Sequence, residues 1–431
     1  MRRPFACALL LVMATACHGM FDVSDPTLVR DSDIANAGGA NARRLGVAAT
    51  LNSAVSQIMS DVAQITDEWM WDYPAGQSFD YLDKRDSEGF EANFSTSDEH
   101  LGALDRVYYM SSLAIPAVRA YTPDSLRGDF LAQLYAIRGY AVLQIAEDMC
   151  PGFPLNDVGA DSRPLFSGPL TTDSAVALAS ALFDSAIVYA HDSTRFLTLA
   201  RVAKGRALLY QGKYAEAESV VASVATSDVY QTDGDDYNIL YDVMRPRRWR
   251  VGSAHEAVGE RKGGNGMPFA SAQDPRIPLI VGGPSATDTT DTLYRTTKYP
   301  DPNTPIILAG GIEARLIEAE AALHEPNPTK AFAILDTLRA TIGLDPLTVP
   351  TTTDAQVDTL YKERAFWLYL TGRRLGDLRR LIKNYGRGPE SVFPTGAYPS
   401  GGTYGSATAI PFILAVQQRS NPNMTTGCSV R

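Results

Sequence analysis

Aromatic rings beside carboxylates and amides can stack on sugar rings while the polar groups hydrogen-bond the hydroxyls. The stretch Asp67-Glu68-Trp69-Met70-Trp71-Asp72-Tyr73, followed by Phe79 and Tyr81, concentrates both kinds of group and holds two of the chain's four tryptophans. Asp67, Trp69, Trp71, Tyr73 and Tyr81 are therefore the candidate ligand contacts. A second reading has Trp69 and Trp71 closing the core, because large aromatics mostly pack. Arg247-Arg248-Trp249 forms another aromatic and cationic group, for which a surface ion pair or a core within its own segment carries more weight than ligand contact.

Other chemistries find little support. The five histidines, His18, His100, His191, His255 and His324, are scattered, with no H-E-x-x-H and no Cys/His cluster for zinc. No G-x-S-x-G nucleophile elbow occurs. Gly212-Lys213 lacks the upstream glycine of a phosphate loop, and Asp233-Gly234-Asp235-Asp236 lacks the remaining calcium-loop spacing. With 49 acidic residues, paired carboxylates occur by chance and do not argue for a glycosidase, whose two acids need a defined separation in a cleft. The sequence thus assigns no catalytic residue, no metal and no cofactor. A net charge of -10 gives no basic footprint for nucleic acid.

These residues need elements to position them. Arg2 and Arg3 precede an apolar run from Phe5 to Met13, then Ala14, Thr15, Ala16 and Cys17, the layout of a secretory leader too short to span a membrane. The small residues before Cys17 resemble a bacterial lipobox, with Ala14 where leucine is usual. Residues 1–16 read as a lipoprotein signal peptide, Cys17 as the lipidated start and 17–42 as a tether, leaving 43–431 as one domain. Simple signal-peptidase cleavage is the alternative. In an exported protein the two body cysteines, Cys150 and Cys428, are candidates for a disulfide; two separate buried thiols are the other reading.

Helical periodicity runs through residues 43–68, 99–118, 124–148, 173–190, 196–211, 214–225, 312–323 and 328–340. Between 226 and 311 composition shifts to Asp, Thr, Gly and Pro, which predicts an irregular insert with short strands, and 384–431 should wrap the surface. A last helix is predicted over Gln356 to Lys383, with Leu360, Arg364, Trp367, Leu368, Thr371, Leu375, Leu378 and Ile382 as its stripe. Glu363, Arg374 and Asp377 return to nearly one face of that helix. They suggest a buried ionic network; surface pairs on a solvated helix are the alternative.

That final stretch resembles the signature helix of the SusD/RagB family, E-R-x-x-E-L-x-x-E-G-x-R-x-x-D-L. Glu363, Arg364, Leu368, Gly372, Arg374, Asp377 and Leu378 match, while Trp367 and Thr371 replace two glutamates. Gln211-Gly212-Lys213-Tyr214-Ala215-Glu216-Ala217 resembles a tetratricopeptide turn. Asp274-Pro275-Arg276 and the closing Ile410-Pro411 and Asn421-Pro422-Asn423 are similar to other family segments. The resemblance implies an all-α, tetratricopeptide-like scaffold with a loop-rich insert and short strands, in which Glu363, Arg364, Gly372, Arg374 and Asp377 are structural. It further implies a lipid-anchored outer-membrane protein at the cell surface, not an enzyme, that captures an oligosaccharide or other oligomeric nutrient for a SusC-like TonB-dependent transporter. An exported glycan-active hydrolase and a helical-repeat protein adaptor are the alternatives.

Overall fold

The computed structural model describes residues 33–71, 78–86, 89, 96–159, 163–191, 193–234, 238–243, 256–285 and 292–428. The leader with Cys17, Tyr73, Asp235, Asp236 and the Arg247 to Trp249 group lie outside the described residues.

Helix α1 (Ala37–Ile65) starts ahead of the expected Arg43. The Asn36 side chain accepts from the Gly39 amide and caps it, and Gly39 and Ala40 already belong to its buried face. Next come α2 (Thr96–Tyr121), α3 (Asp124–Asp148), α4 (Thr172–Tyr189), α5 (Thr194–Tyr210) and α6 (Tyr214–Val221), each packed on its predecessor. Small residues allow the close approach. Ala132, Ala136, Ala141 and Ala146 of α3 are fully buried, and a Cβ on Gly139 would stand 2.7 Å from the Phe183 ring of α4. Any larger residue there would push the two helices apart.

Eight short strands pair two by two among the described residues: β1 (Trp69–Trp71), β2 (Asp157–Val158), β3 (Pro164–Leu165), β4 (Val229–Gln231), β5 (Glu256–Val258), β6 (Leu279–Pro284), β7 (Thr292–Thr296) and β8 (Ile307–Gly310). The pairs β1–β5, β2–β3, β4–β8 and β6–β7 are all antiparallel. The β4–β8 pair closes the base of the insert, with Val229 opposite Gly310. Consequently α7 (Gly311–His324) packs directly on α6 and the stack of helices continues across the interruption. Then α8 (Pro328–Ala340) completes the α7 hairpin, entered through Asn327, whose side chain accepts from the Lys330 amide.

The predicted final helix is two helices, α9 (Thr353–Trp367) and α10 (Arg374–Tyr385). Leu370 at φ 53° and Gly372 at φ 72° turn the backbone left-handed between them. The broken turn is held by side chains from elsewhere. Glu68 accepts from the Leu370 amide at 2.8 Å, Tyr299 donates to the Leu370 carbonyl at 2.8 Å, and Lys298 donates to the Tyr369 carbonyl. Glycine is required at 372 twice over, since a Cβ would also meet the Met59 sulfur at 2.3 Å. Apolar periodicity carried through this turn because Leu368 and Leu370 are buried although not helical.

Beyond α10 the chain runs back across the end of α3. Cys150 and Cys428 form a disulfide with Cα atoms 5.6 Å apart, Met149 bridges Ile410, and the Asn421 amide donates to Asn156 and Ser167. Closing a loop of 278 residues constrains the unfolded chain by roughly 5 kcal/mol at most.

Inside the α1–α2–α3 layer, His100 sits fully buried between two carboxylates, Nδ1 3.1 Å from Asp61 and Nε2 3.0 Å from Asp148. Gln57 and Gln144 donate to the same two acids. Burial opposes charge on the imidazole, but hydrogen bonds to Asp148 and Asp61 outweigh it and raise its pKa to about 9. Glu68, desolvated by burial, is pushed up to about 8. Both groups bind their proton more tightly folded than unfolded, so both contributions are present at low pH and lost as pH rises through the folded values. Urea unfolding should therefore show stability falling from about pH 6.5 to about pH 8, where the two windows overlap, with the His100 proton leaving near pH 9 by NMR. A flat profile, or an imidazole titrating near pH 6.5, would contradict this assignment.

Candidate functional site

The stretch from Asp67 to Trp71 follows α1 through a tight turn and enters β1, and the structure places it inside rather than on the surface. Trp69 is 0% exposed and Trp71 5%. Neither ring offers a free face, which corrects their assignment as ligand contacts; the packing alternative describes them. Asp67 is fully buried as well, and its carboxylate takes a two-pronged contact from the Arg374 guanidinium at 2.6 and 2.7 Å, plus the Met267 amide at 2.8 Å. Its oxygens are committed to the scaffold. Tyr81 is half-buried against the core, and Tyr73 falls outside the described residues.

Other buried charges clamp the same turn. Lys262, from the insert, pairs with Asp83 at 2.7 Å and donates to the carbonyls of Gln64 and Thr66. Tyr398 from the C-terminal segment donates to Asp83 at 2.9 Å. Burial works against ionised Asp67, yet the Arg374 cation outweighs it and holds the carboxyl below its usual range. Sequence reasoning missed Lys262 and Lys298, because a lone lysine in an irregular segment carries no periodic signal.

The signature residues are scaffolding. Arg364 meets Asp377 through two 2.8 Å bonds, Arg380 reaches Glu320 at 2.9 Å, and Glu363 receives Arg276 and Arg339 at 2.6 Å each. All lie in the interior or nearly so. The predicted network exists, although its geometry differs: Glu363 does not share a helix face with Arg374, because the chain breaks between them, and each finds its partner on another element. Burial opposes the charge on Asp377, but Arg364 and Arg380 reverse that and hold it ionised. Arg276 comes from the Asp274-Pro275-Arg276 segment, which is how the insert is tied to α9.

What the strand pair does provide is convergence. Trp71 lies opposite Glu256 in the β1–β5 register, so the segments 72–77 and 244–255 are both joined to the same end of one small ribbon. Tyr73 belongs to the first segment and Arg247 to Trp249 to the second. The buried tryptophans anchor the ribbon. Replacing Trp69 or Trp71 by alanine should cost about 3–5 kcal/mol in urea unfolding, the signature of a core position. Unchanged stability with lost ligand affinity would instead return them to the binding surface.

No family model matches the sequence, and no curated protein does. Solved structures match its backbone closely. The surface glycan-binding protein A of Bacteroides uniformis superposes with a TM-score of 0.68 at 13% identity, over 91% of this chain and 100% of that one. A SusD superfamily protein of Bacteroides thetaiotaomicron gives 0.66 at 15% identity over 91% and 99%. A SusD-like carbohydrate binding protein of Bacteroides vulgatus gives 0.59 at 15% identity over 80% and 83%. At these identities the likeness concerns architecture: the chain has the SusD-like fold, a helical-repeat scaffold carrying short strands and a loop-rich insert.

Proposed function

We propose that this protein is a cell-surface glycan-binding subunit that captures an oligosaccharide and delivers it to a SusC-like TonB-dependent transporter in the outer membrane. The observation that carries the reading is the superposition with the surface glycan-binding protein A over 91% of this chain and all of that one. The leader and Cys17 support a lipid anchor as the means of membrane attachment, and no helix among the described residues is long and apolar enough to cross a membrane. Acyl chains on Cys17 would hold the protein at the surface at about 0.8 kcal/mol per buried methylene.

Binding needs no covalent step. Rings such as Tyr73 and Trp249 would stack on sugar faces, and Arg247, Arg248 and neighbouring carboxylates would order the hydroxyls. The ionic lattice behind the ribbon then acts as its foundation and takes no part in recognition.

The test has two arms. Native protein recovered from solubilised outer membranes should bring down a large TonB-dependent barrel, identified by mass spectrometry. On an immobilised glycan panel the purified chain should bind a restricted set of oligosaccharides, and Tyr73→Ala with Trp249→Ala should weaken that binding by about tenfold or more, as expected for the loss of stacking contacts worth 1–2 kcal/mol, with unchanged unfolding. Absence of any barrel and of any glycan signal, with intact folded protein on the support, would overturn the proposal.

A further inference from the structure

The turn between α9 and α10, the β8 strand and the first turn of α7 enclose a cleft of about 210 Å³. Its volume accommodates roughly seven waters at liquid density, or one ring-sized molecule. The walls are mainly apolar, with Ile307, Ile312, Leu368 and the rings of Tyr299 and Trp367 among them. The charged side chains on the wall are Lys298, Arg373 and Glu313.

These charges do not balance. Glu313 is already held by Arg206 at 3.2 Å and Arg373 at 3.8 Å. Arg373 is further occupied by Gln144, Tyr140 and the Leu308 carbonyl at 2.8–3.0 Å. Lys298 differs: its ammonium donates to the Tyr369 carbonyl, and among the described residues no carboxylate forms an ion pair with it. The charge acting on it is that of the buried Glu68, which is itself pushed up to about 8 and already accepts from the Leu370 amide. Below that pH Glu68 is largely protonated and leaves the desolvated ammonium short of counter-charge, which an anion entering the cleft would supply. Two further donors lie at the wall. The Trp367 indole N–H is buried with no acceptor among the described residues, and α7 begins at the cleft without a side-chain cap, so beyond the Gly311 amide, which donates to the Asp228 carbonyl, its first turn presents the positive end of the helix dipole.

We propose that this cleft is a binding site for a single-ring carboxylate, its carboxylate group seated on the Lys298 ammonium and its ring between Trp367, Tyr299 and Ile312. No residue of the β1–β5 ribbon lines the cleft, and the proposal stands whether or not the aromatic segments bind glycan. Burial lowers the Lys298 pKa to about 8, so in the wild-type chain binding should fade as pH rises past that value.

Calorimetric titration of the folded full chain with D-glucuronate, cyclohexanecarboxylate and D-glucose tests the assignment. At least one of the two carboxylates should bind saturably and neutral glucose should not. Lys298→Met should weaken the bound carboxylate by about tenfold or more, the loss expected for one charge-assisted hydrogen bond. Ile312→Trp, which fills the cleft from a half-buried position, should abolish binding with cooperative unfolding retained. Should Lys298→Met fail to fold, Trp367→Phe keeps the ring, removes the N–H and should still lower affinity several-fold. Failure of both carboxylates to bind, glucose binding as well as glucuronate, or affinity untouched by the cleft-filling variant would each overturn the proposal. Glycan capture by the native protein, read separately on the panel, reports on the other site alone.

Discussion

The pairing of Asp67 with Arg374 joins the end of the first helix to the start of α10, 307 residues later in the chain, and several other features depend on it. It fixes the turn that leads into β1, and through β1 the ribbon to which the insert is attached. Around it the same logic repeats, with Arg364, Arg380, Glu363 and Arg276 each crossing between elements. Exchanging such pairs for apolar residues of equal volume is often neutral, whereas removing one partner leaves a buried charge uncompensated. Their effect is therefore on arrangement. They select one docking of the α9–α10 turn among the many that a purely apolar core would tolerate.

That constraint also explains the break in the signature segment. A continuous helix from 353 to 385 would carry Arg374 away from Asp67 and leave Glu68, Lys298 and Tyr299 without the backbone groups they hold. The left-handed turn at Leu370 and Gly372 costs local conformational energy that these long-range bonds offset. The same turn walls the cleft beside Lys298, so one irregularity both locks the scaffold and opens a cavity in it.

Much of this architecture was legible in the sequence, for physical reasons that can be named. Helices such as Asp124–Asp148 match the expected 124–148 span because Pro123 opens them and an apolar period fills them. The family-like motif marked Glu363, Arg364, Arg374 and Asp377 as structural without showing which of them pair, and the break at 368–373 was not legible, since buried Leu368 and Leu370 continue the helical apolar rhythm in a non-helical backbone. Trp69 and Trp71 show the complementary difficulty. An aromatic residue beside a carboxylate reads as a sugar platform or as a core plug with equal ease, and only Arg374, three hundred residues away, decides that Asp67 faces inwards. Lys262 and Lys298 had no local signal at all, because their meaning lies wholly in carbonyls and acids brought to them by the fold.

The central claim is that interelement ion pairing specifies how the α9–α10 turn docks on the first helix, and a double-mutant cycle on Asp67 and Arg374 tests it most directly. Asp67→Leu and Arg374→Met, singly and together, would be compared with the parent chain by urea unfolding. Each single change should cost about 3–5 kcal/mol, and the double variant should cost less than their sum by at least about 2 kcal/mol. Strictly additive losses would contradict the account, because they would mean that the two side chains stabilise the fold independently and that their pairing organises nothing.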